Sequence, residues 1–142
     1  MCGCGADFRQ DRKVSELARV EAEDRGSLCV IRLHGEVDIS NDREVLAAIE
    51  TAVPHSALQL IVDLTHTAYL DSAGLALLLR LAERLQARRQ QMRIVAPLGS
   101  PVRSVLELTG LPRVIPLEGR LEDAVRESER GSASPPGRQE SS

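Results

Sequence analysis

The sequence predicts a single α/β domain built on a mixed sheet of about five strands flanked by about four helices. After residue 36, strand-like and helix-like segments alternate, which is typical of parallel strands joined by right-handed crossovers. Before that point, two strand-like segments are separated only by a short turn, which indicates an antiparallel hairpin. A chain of 142 residues, 42% of them apolar, is long enough to bury one core without disulfides.

Composition divides the chain into three parts. Residues 1–15 are charged and glycine-containing without periodicity, so we predict a flexible arm there. Residues 16–129 contain all the periodic segments and form the predicted domain. Residues 130–142 are rich in serine, glycine and proline and are predicted to be a disordered tail.

The predicted hairpin occupies residues 17–35. In its first strand, small apolar residues at every second position alternate with charged ones, the period of a strand with one buried face. Asp24-Arg25-Gly26 supplies a turn, and the apolar segment that ends at Gly35 is the second strand.

A first helix is predicted after the hairpin. Ser40, Asn41 and Asp42 compete to be its N-cap, and Asn41 and Glu44 have the spacing of a capping box. Apolar residues at helical spacing follow, and Pro54 ends the helix because proline cannot continue it.

The remaining elements alternate between strand and helix. Residues 58–64 are nearly all apolar, as expected for a strand covered on both faces. After them come a leucine-rich helix from about Ser72 to Arg88, a strand at 92–96, a helix from Pro101 to Gly110, a short strand at 114–117 and a last helix from about Arg120 to Glu129. The proline inside the short strand suits an edge position, because proline cannot donate a ladder hydrogen bond.

Charge and aromatic content argue against direct nucleic-acid binding. The 18 basic residues are outnumbered by 21 acidic ones, so there is no basic excess to follow a phosphate backbone. The two aromatic residues, Phe8 and Tyr69, are too few to form a base-stacking platform.

No apolar segment approaches the roughly 18 residues needed to span a bilayer, and no signal-peptide core follows the N-terminus. We therefore expect a cytoplasmic protein that does not bind membranes. Cys29 lies in a strand and is expected to be a small buried residue. Cys2 and Cys4 form a C-x-C pair in the arm; a metal would need further ligands, so neither a metal nor another cofactor is predicted.

The segment Asp71-Ser72-Ala73-Gly74 is the candidate functional site. It places a hydroxyl at the N-terminus of the leucine-rich helix, where unpaired N–H groups and about half a positive charge favour a phosphate. Ser72 could therefore carry a phosphoryl group without disrupting the fold. Alternatively, Asp71 or Ser72 is only an N-cap. Gly74 costs about 0.5–1 kcal/mol relative to alanine in a helix, so another backbone or a partner is expected to approach it closely.

The apolar surface of this helix covers about 200° of its circumference, which is wider than a helix on a sheet needs. Leu77 and Leu81 lie at one margin and are predicted to stay partly exposed as a docking surface beside Ser72. The alternative is that a neighbouring helix covers them. Asp38 is a further candidate, with a plain loop carboxylate or helix cap as its alternative role.

Three segments together resemble the STAS domain, and most closely the bacterial anti-sigma factor antagonists. They are Gly35-Glu36-Val37-Asp38, Ile61-Val62-Asp63-Leu64-Thr65 and Tyr69-Leu70-Asp71-Ser72-Ala73-Gly74-Leu75. The resemblance spans about residues 17–127. Its most specific part is the aspartate-serine-small-glycine-leucine run, and the first segment supports it by order and spacing.

The resemblance implies a partner-switching function. The unphosphorylated protein would bind an anti-sigma factor and so release a sigma factor. That partner is also a serine kinase, which would phosphorylate Ser72, and a PP2C-like phosphatase would reverse the reaction. The family's acidic loop residue maps to Asp38. Leu77 and Leu81, at the margin of the apolar surface of the helix, complete the predicted contact surface. The predicted partner-binding residues are Asp38, Asp71, Ser72, Ala73, Gly74, Leu77 and Leu81.

One loop, His66-Thr67-Ala68, departs from the small or glycine-containing turn that relatives often carry, which affects the choice of partner. His66 is predicted to be a loop residue and not a metal ligand, because His34 and His55 show no ligand spacing with it.

Two other functions are the main alternatives. A hydrolase nucleophile elbow needs G-x-S-x-G, but Leu70 stands in place of the first glycine and no histidine is placed as a base, so no enzymatic activity is predicted. The second alternative is a STAS subunit of another regulatory or transport complex, such as a nucleotide-sensing or transporter-associated module. The sequence lacks a P-loop with its lysine, so tight nucleotide binding is not predicted.

Overall fold

A computed structural model describes residues 8–133 of the chain. Within these residues it contains seven strands and four α-helices. The strands are β1 (Phe8–Lys13), β2 (Ala18–Arg25), β3 (Leu28–Val37), β4 (Gln59–Asp63), β5 (Thr67–Leu70), β6 (Gln91–Val95) and β7 (Leu117–Glu118). The helices are α1 (Asp42–Ala52), α2 (Ser72–Ala87), α3 (Pro101–Leu108) and α4 (Leu121–Ala133), with a 3₁₀ turn at Leu111–Arg113.

The strands form one mixed sheet in the order β1-β2-β3-β4-β6-β7. The first three are antiparallel, and β4, β6 and β7 continue the sheet in parallel. The predicted α/β class and the hairpin are therefore confirmed. Helices connect the strands from β3 to β4, from β5 to β6 and from β6 to β7, as parallel pairing requires.

The prediction of a flexible arm over residues 1–15 is wrong for residues 8–13. They form β1, which pairs along its whole length with β2, from Phe8 opposite Asp24 to Lys13 opposite Arg19. The strand lacked a sequence signal because it is charged, as edge strands commonly are. The C-terminal end of α4 also continues to Ala133, past the predicted domain boundary at residue 129. Residues 1–7 of the predicted arm and 134–142 of the predicted tail lie outside the described residues.

The segment predicted as a loop at residues 66–68 is also corrected, because Thr67–Leu70 form β5. After β4 ends at Asp63, the chain makes a tight turn and β5 pairs with the last part of β3. The buried Thr67 hydroxyl donates to the Leu33 carbonyl over 2.7 Å and fixes this pairing. The last strand also begins three residues later than predicted, because Val114 closes the 3₁₀ turn.

The sheet is covered on both faces. The main core contains residues of α1, α2 and α3, whereas a smaller cluster lies beneath α4 and comprises Leu28, Val30, Ile61, Val95 and Ala124. Every residue of β4 is buried, as its apolar sequence predicted. Because helices cover both faces, the loops and the helix termini lie at the two ends of the parallel strands.

Cys29 is buried in the main core, with 1% of its surface exposed, as expected. Burial raises the pKa of its thiol to about 12, and the nearby Asp24 carboxylate adds to the shift. At about pH 8 only about one thiol in ten thousand is then a thiolate, the reactive form. Iodoacetamide should therefore alkylate Cys29 at least about a hundredfold more slowly in the folded protein than in guanidinium chloride. Peptide mass spectrometry separates this signal from Cys2 and Cys4, and equal rates would contradict the burial.

Candidate functional site

Asp38 and Asp71 are neighbours, because each directly follows the carboxyl end of one of two paired parallel strands. Val37, the last residue of β3, is in register with Leu70, the last residue of β5. The Asp71 backbone N–H donates to the Val37 carbonyl over 3.4 Å, so the pairing continues to the start of α2. Paired strands lie about 4.8 Å apart. The carboxylates of Asp38 and Asp71 and the N-terminus of α2 therefore lie at the same edge of the sheet.

Asp71 is the N-cap of α2, and Ser72 is its first residue. The Asp71 Oδ1 accepts hydrogen bonds from the backbone N–H groups of Ala73, at 2.9 Å, and Gly74, at 3.2 Å. The capping role that the sequence left open between Asp71 and Ser72 therefore belongs to Asp71. Ser72 is exposed, and its hydroxyl has no hydrogen bond to any residue within 8–133. The hydroxyl is accessible to chemistry from outside, and the helix start does not depend on it.

Gly74 occupies the first turn of α2 because two apolar side chains fill the place of a Cβ. A Cβ on Gly74 would lie 2.4 Å from Leu70 Cδ1 and 3.4 Å from Val37 Cγ1. The close approach expected at Gly74 is therefore made by side chains from the ends of β3 and β5, not by another backbone. It brings the start of α2 down onto the strand ends and so sets the position of Ser72 relative to Asp38.

The loop that carries Asp38 is organised by Asn41. The buried Asn41 side chain accepts from the Asp38 N–H and donates to the Glu36 carbonyl and the Ser15 hydroxyl. It makes no capping hydrogen bond to α1, so the capping box predicted for Asn41 and Glu44 does not form. The signal was ambiguous, because asparagine also bonds backbone groups of its own loop.

Asp38 itself accepts hydrogen bonds from Ser40. The Ser40 hydroxyl lies 2.5 Å and the Ser40 N–H 2.9 Å from the Asp38 Oδ1. These two bonds, the hydroxyl first, lower the pKa of the Asp38 carboxyl below its usual value. Asp38 is therefore a carboxylate at neutral pH and contributes negative charge to this edge of the sheet.

The expectation that Leu77 and Leu81 stay partly exposed is wrong. Each is 1% exposed, and both belong to the main core. Helix α1 packs beside α2, where Glu50 pairs with Arg84, so the neighbouring helix covers them. Ala73 is half-buried and Gly74 is buried.

The exposed apolar groups at this end of the sheet belong to other elements. Ile39, which follows Asp38, is 81% exposed, and Tyr69 of β5 is 50% exposed. Neither exposed side chain was predicted as a contact residue from the sequence. A single large apolar residue in a loop carries no periodicity, and the exposure of Tyr69 follows from the unpredicted β5.

His34 and His66, which showed no ligand spacing in the sequence, are brought together by β5. Their rings stack with centroids 5.1 Å apart and an interplanar angle of 4°, and His34 Nε2 lies 3.2 Å from the Glu21 carboxylate. His66 is exposed in the turn before β5, as predicted. In the part of the chain that the structure describes, no group of three or more His, Cys, Asp or Glu side chains could hold a metal ion.

Comparison with known proteins gives the same fold and a consistent set of relatives. A family model described as the STAS domain matches residues 19–124. A solved anti-sigma factor antagonist from Mycobacterium paratuberculosis is 29% identical over 78% of this chain and 92% of that chain, with a TM-score of 0.69. The anti-sigma-F factor antagonist RsfB of Mycobacterium tuberculosis is 28% identical over 106 residues, which are 75% of this chain and 85% of that protein.

The Bacillus cell fate determinant SpoIIAA, solved in its phosphorylated form, shares the fold. It is 24% identical over 85% of this chain and 99% of that chain, with a TM-score of 0.55. Among residues 8–133, no helix is both long enough and apolar enough to cross a membrane. The matched segment contains the sheet from β2 to β7 and the whole edge that carries Asp38 and Ser72, and the chain belongs to the STAS domain family.

Proposed function

We propose that this protein is an anti-sigma factor antagonist whose binding is controlled by phosphorylation of Ser72. In its unphosphorylated form it binds an anti-sigma factor, which then releases its sigma factor. The observation that carries the proposal is the exposed Ser72 hydroxyl at the first position of α2, left free because Asp71 supplies the cap. The names of its relatives, which are anti-sigma factor antagonists, support this class of partner.

The anti-sigma factor docks on a face that we call the switch surface, comprising Asp38, Ile39, Tyr69, Asp71 and Ser72. All five lie at the carboxyl ends of β3 and β5. The exposed isoleucine and tyrosine supply apolar anchors, the kind of side chain that dominates interface energetics, and the two carboxylates favour a basic rim on the partner.

The other predicted contact residues act indirectly or not at all. Ala73 and Gly74 shape the helix start, whereas the buried Leu77 and Leu81 hold α2 on the sheet and take no part in docking.

Ser72 is a substrate in this scheme, and no catalytic activity is proposed for this chain. The anti-sigma factor acts as a serine kinase and transfers the γ-phosphoryl group of ATP to the Ser72 Oγ, which loses its proton while ADP leaves. A PP2C-like phosphatase hydrolyses the phosphoserine with water and restores the hydroxyl and free phosphate. Accessibility supports both steps, because the hydroxyl is exposed and bonded to no other described residue.

A serine-to-alanine pair tests the site. The substrates are the wild type, Ser72→Ala and Ser56→Ala, each incubated with ATP and a purified kinase-type anti-sigma factor encoded in the same genome. We expect Ser72→Ala to bind this partner with an affinity within about threefold of the wild type, because it loses one exposed hydroxyl, but to take up no phosphate. Ser56→Ala, which changes an exposed serine between α1 and β4 that is not part of the switch surface, should be phosphorylated normally.

The measurements are intact-protein mass spectrometry for phosphate and calorimetry for binding. Stoichiometric phosphorylation of Ser72→Ala would refute the assignment of the site. Failure of the wild type to bind any of the kinase-type anti-sigma factors of its own genome would refute the proposed function and favour a STAS subunit of another complex.

A further inference from the structure

The part of the switch surface that contains Asp38 and Ile39 is a turn between β3 and α1, residues 38–41, which we call the Asp38 turn. The Ile39 side chain is 81% exposed, so its position depends mainly on the backbone of this turn. Whatever fixes this backbone therefore also fixes two of the five side chains that the partner would contact.

The Asp38 turn is fixed from inside by Asn41, which is 2% exposed. Its Oδ1 accepts the Asp38 N–H over 3.0 Å, and its Nδ2 donates to the Glu36 carbonyl over 2.9 Å. An N–H can only donate and a carbonyl can only accept, so the two bonds allow one orientation of the amide. In return, the Asp38 carboxylate accepts the Ser40 N–H over 2.9 Å. Side chains at both ends of the turn thus bond its backbone, as in a capping box.

Asn41 also bonds the turn between β1 and β2, which is distant in sequence. Its Nδ2 donates to the Ser15 hydroxyl over 3.2 Å. The same hydroxyl accepts the Leu17 N–H over 3.1 Å, and the Leu17 carbonyl accepts the Glu36 N–H over 2.9 Å. The turn between β1 and β2, the end of β3 and the Asp38 turn therefore form one hydrogen-bonded unit around the Asn41 amide.

Helix α1 does not account for this buried amide, because Asn41 makes no side-chain capping bond to it. A buried polar group is unfavourable unless its hydrogen bonds are made, so an amide here is suited to holding backbone and not to filling space. The backbone that it holds belongs to the switch surface. A loop that already has its bound shape loses less conformational entropy when a partner binds, and this raises affinity.

We propose that Asn41 is a positioning residue for partner binding, which holds the Asp38 turn in the conformation that the anti-sigma factor recognises. The inference rests on the proposed function and adds to it a buried residue outside the switch surface. Without the amide, the turn samples several conformations, and only a fraction of the molecules present Asp38 and Ile39 correctly. The apparent Kd then rises by the inverse of that fraction.

Phosphoryl transfer should respond differently from binding. Ser72 is held by the Asp71 cap and by the packing of Gly74. None of these contacts involves Asn41. In phosphorylation assays with the kinase-type anti-sigma factor, Asn41→Ala should therefore raise KM at least about tenfold and leave kcat within about twofold of the wild type. A general loss of packing would not separate the two constants in this way.

The matched control is Gln90→Ala. Gln90 is also a buried amide, 6% exposed, and its Nε2 donates to the carbonyls of Pro54 and Ala57 over 3.1 Å and 2.7 Å. It precedes β6 and so lies at the end of the sheet opposite the switch surface. Calorimetry is performed at a temperature at which circular dichroism shows both variants folded. We expect Asn41→Ala to bind the anti-sigma factor at least about tenfold more weakly than the wild type, and Gln90→Ala to bind within about twofold of it.

An Asn41→Ala variant that binds as tightly as the wild type, or equal losses of affinity in the two variants, would overturn the inference and leave the proposed function intact. A wild type that binds no anti-sigma factor would overturn both. Should Asn41→Ala fail to fold, Ser15→Ala decides, because it removes only the bond from Asn41 to the turn between β1 and β2 and that turn's own bond to Leu17. It should weaken binding about threefold, and an unchanged affinity would overturn the inference.

Discussion

Phosphorylation of Ser72 is expected to weaken binding of the anti-sigma factor more than a hundredfold while the fold stays intact. The phosphate adds about −1.5 to −2 charges at neutral pH. It arrives beside Asp71, which caps the same helix, and close to the strand end that carries Asp38, whose carboxyl pKa is lowered by its bonds from Ser40. A penalty of about 3 kcal/mol for burying this charge in an interface already lowers affinity more than a hundredfold.

The isolated domain should tolerate the same charge. Ser72 is exposed, and the positive end of the α2 dipole favours a phosphate at the first turn. The backbone N–H groups of Ala73 and Gly74 already bond Asp71, so the phosphate gains only part of the usual stabilisation at a helix N-terminus. We therefore expect the melting temperature to change by no more than about 2 °C, since surface changes rarely exceed about 0.5 kcal/mol.

Calorimetric titration of the partner into phosphorylated and unphosphorylated protein measures the loss of affinity. Thermal unfolding followed by circular dichroism measures the change in melting temperature. Ser72→Asp, with a single charge, should show a smaller loss of affinity than phosphoserine. Ser72→Ala serves as the uncharged control. A phosphorylated protein that binds as tightly as the unmodified one would remove the basis of the switch.

Gly35→Ala is expected to destabilise the protein by about 3–5 kcal/mol, the largest effect of any single substitution proposed for the fold. Gly35 has a φ of +100°, and a Cβ there would lie 2.0 Å from the Leu17 carbonyl oxygen. That oxygen accepts the Glu36 N–H over 2.9 Å, so neither it nor β3 can move without breaking the pairing of β2 with β3. The backbone strain and the overlap each cost about 1–3 kcal/mol.

Gly26→Ala is the matched control. Its φ of +70° also disfavours alanine, but nothing lies within 4 Å of the added Cβ, so only the backbone cost of about 1–2 kcal/mol remains. Urea denaturation of the three proteins measures the difference in free energy of unfolding. A Gly35→Ala variant no less stable than Gly26→Ala would contradict the close contact between Gly35 and Leu17.

Several parts of the structure follow from local sequence. The hairpin, the buried β4 and the start of α2 at Asp71-Ser72 were predicted because the period of apolar residues and the preferences of capping residues act over only a few positions. Because glycine is unfavourable in a helix, Gly74 was predicted to lie against another group, and the Leu70 and Val37 side chains do pack against it. The resemblance to the STAS family rests on the same short segments, which is why it identified the family before any contact was known.

The pairing of some strands, and the burial of some side chains by a neighbouring helix, could be seen only in the tertiary structure. Strand β1 is charged and β5 has four residues, so each exists only because β2 or β3 offers it unpaired backbone groups. Leu77 and Leu81 are buried because α1 lies beside α2, and their own spacing could not show this.

The sequence by itself determined the order of the elements, the family and the residue that could carry a phosphate. Only the tertiary structure decided which groups surround that residue, because Asp38 and Ser72 are 34 positions apart and meet through the register of β3 with β5. It likewise left Ile39 and Tyr69 exposed at the same edge. Local preferences fix elements, whereas a binding surface is made by the non-local hydrogen bonds and packing that place those elements side by side.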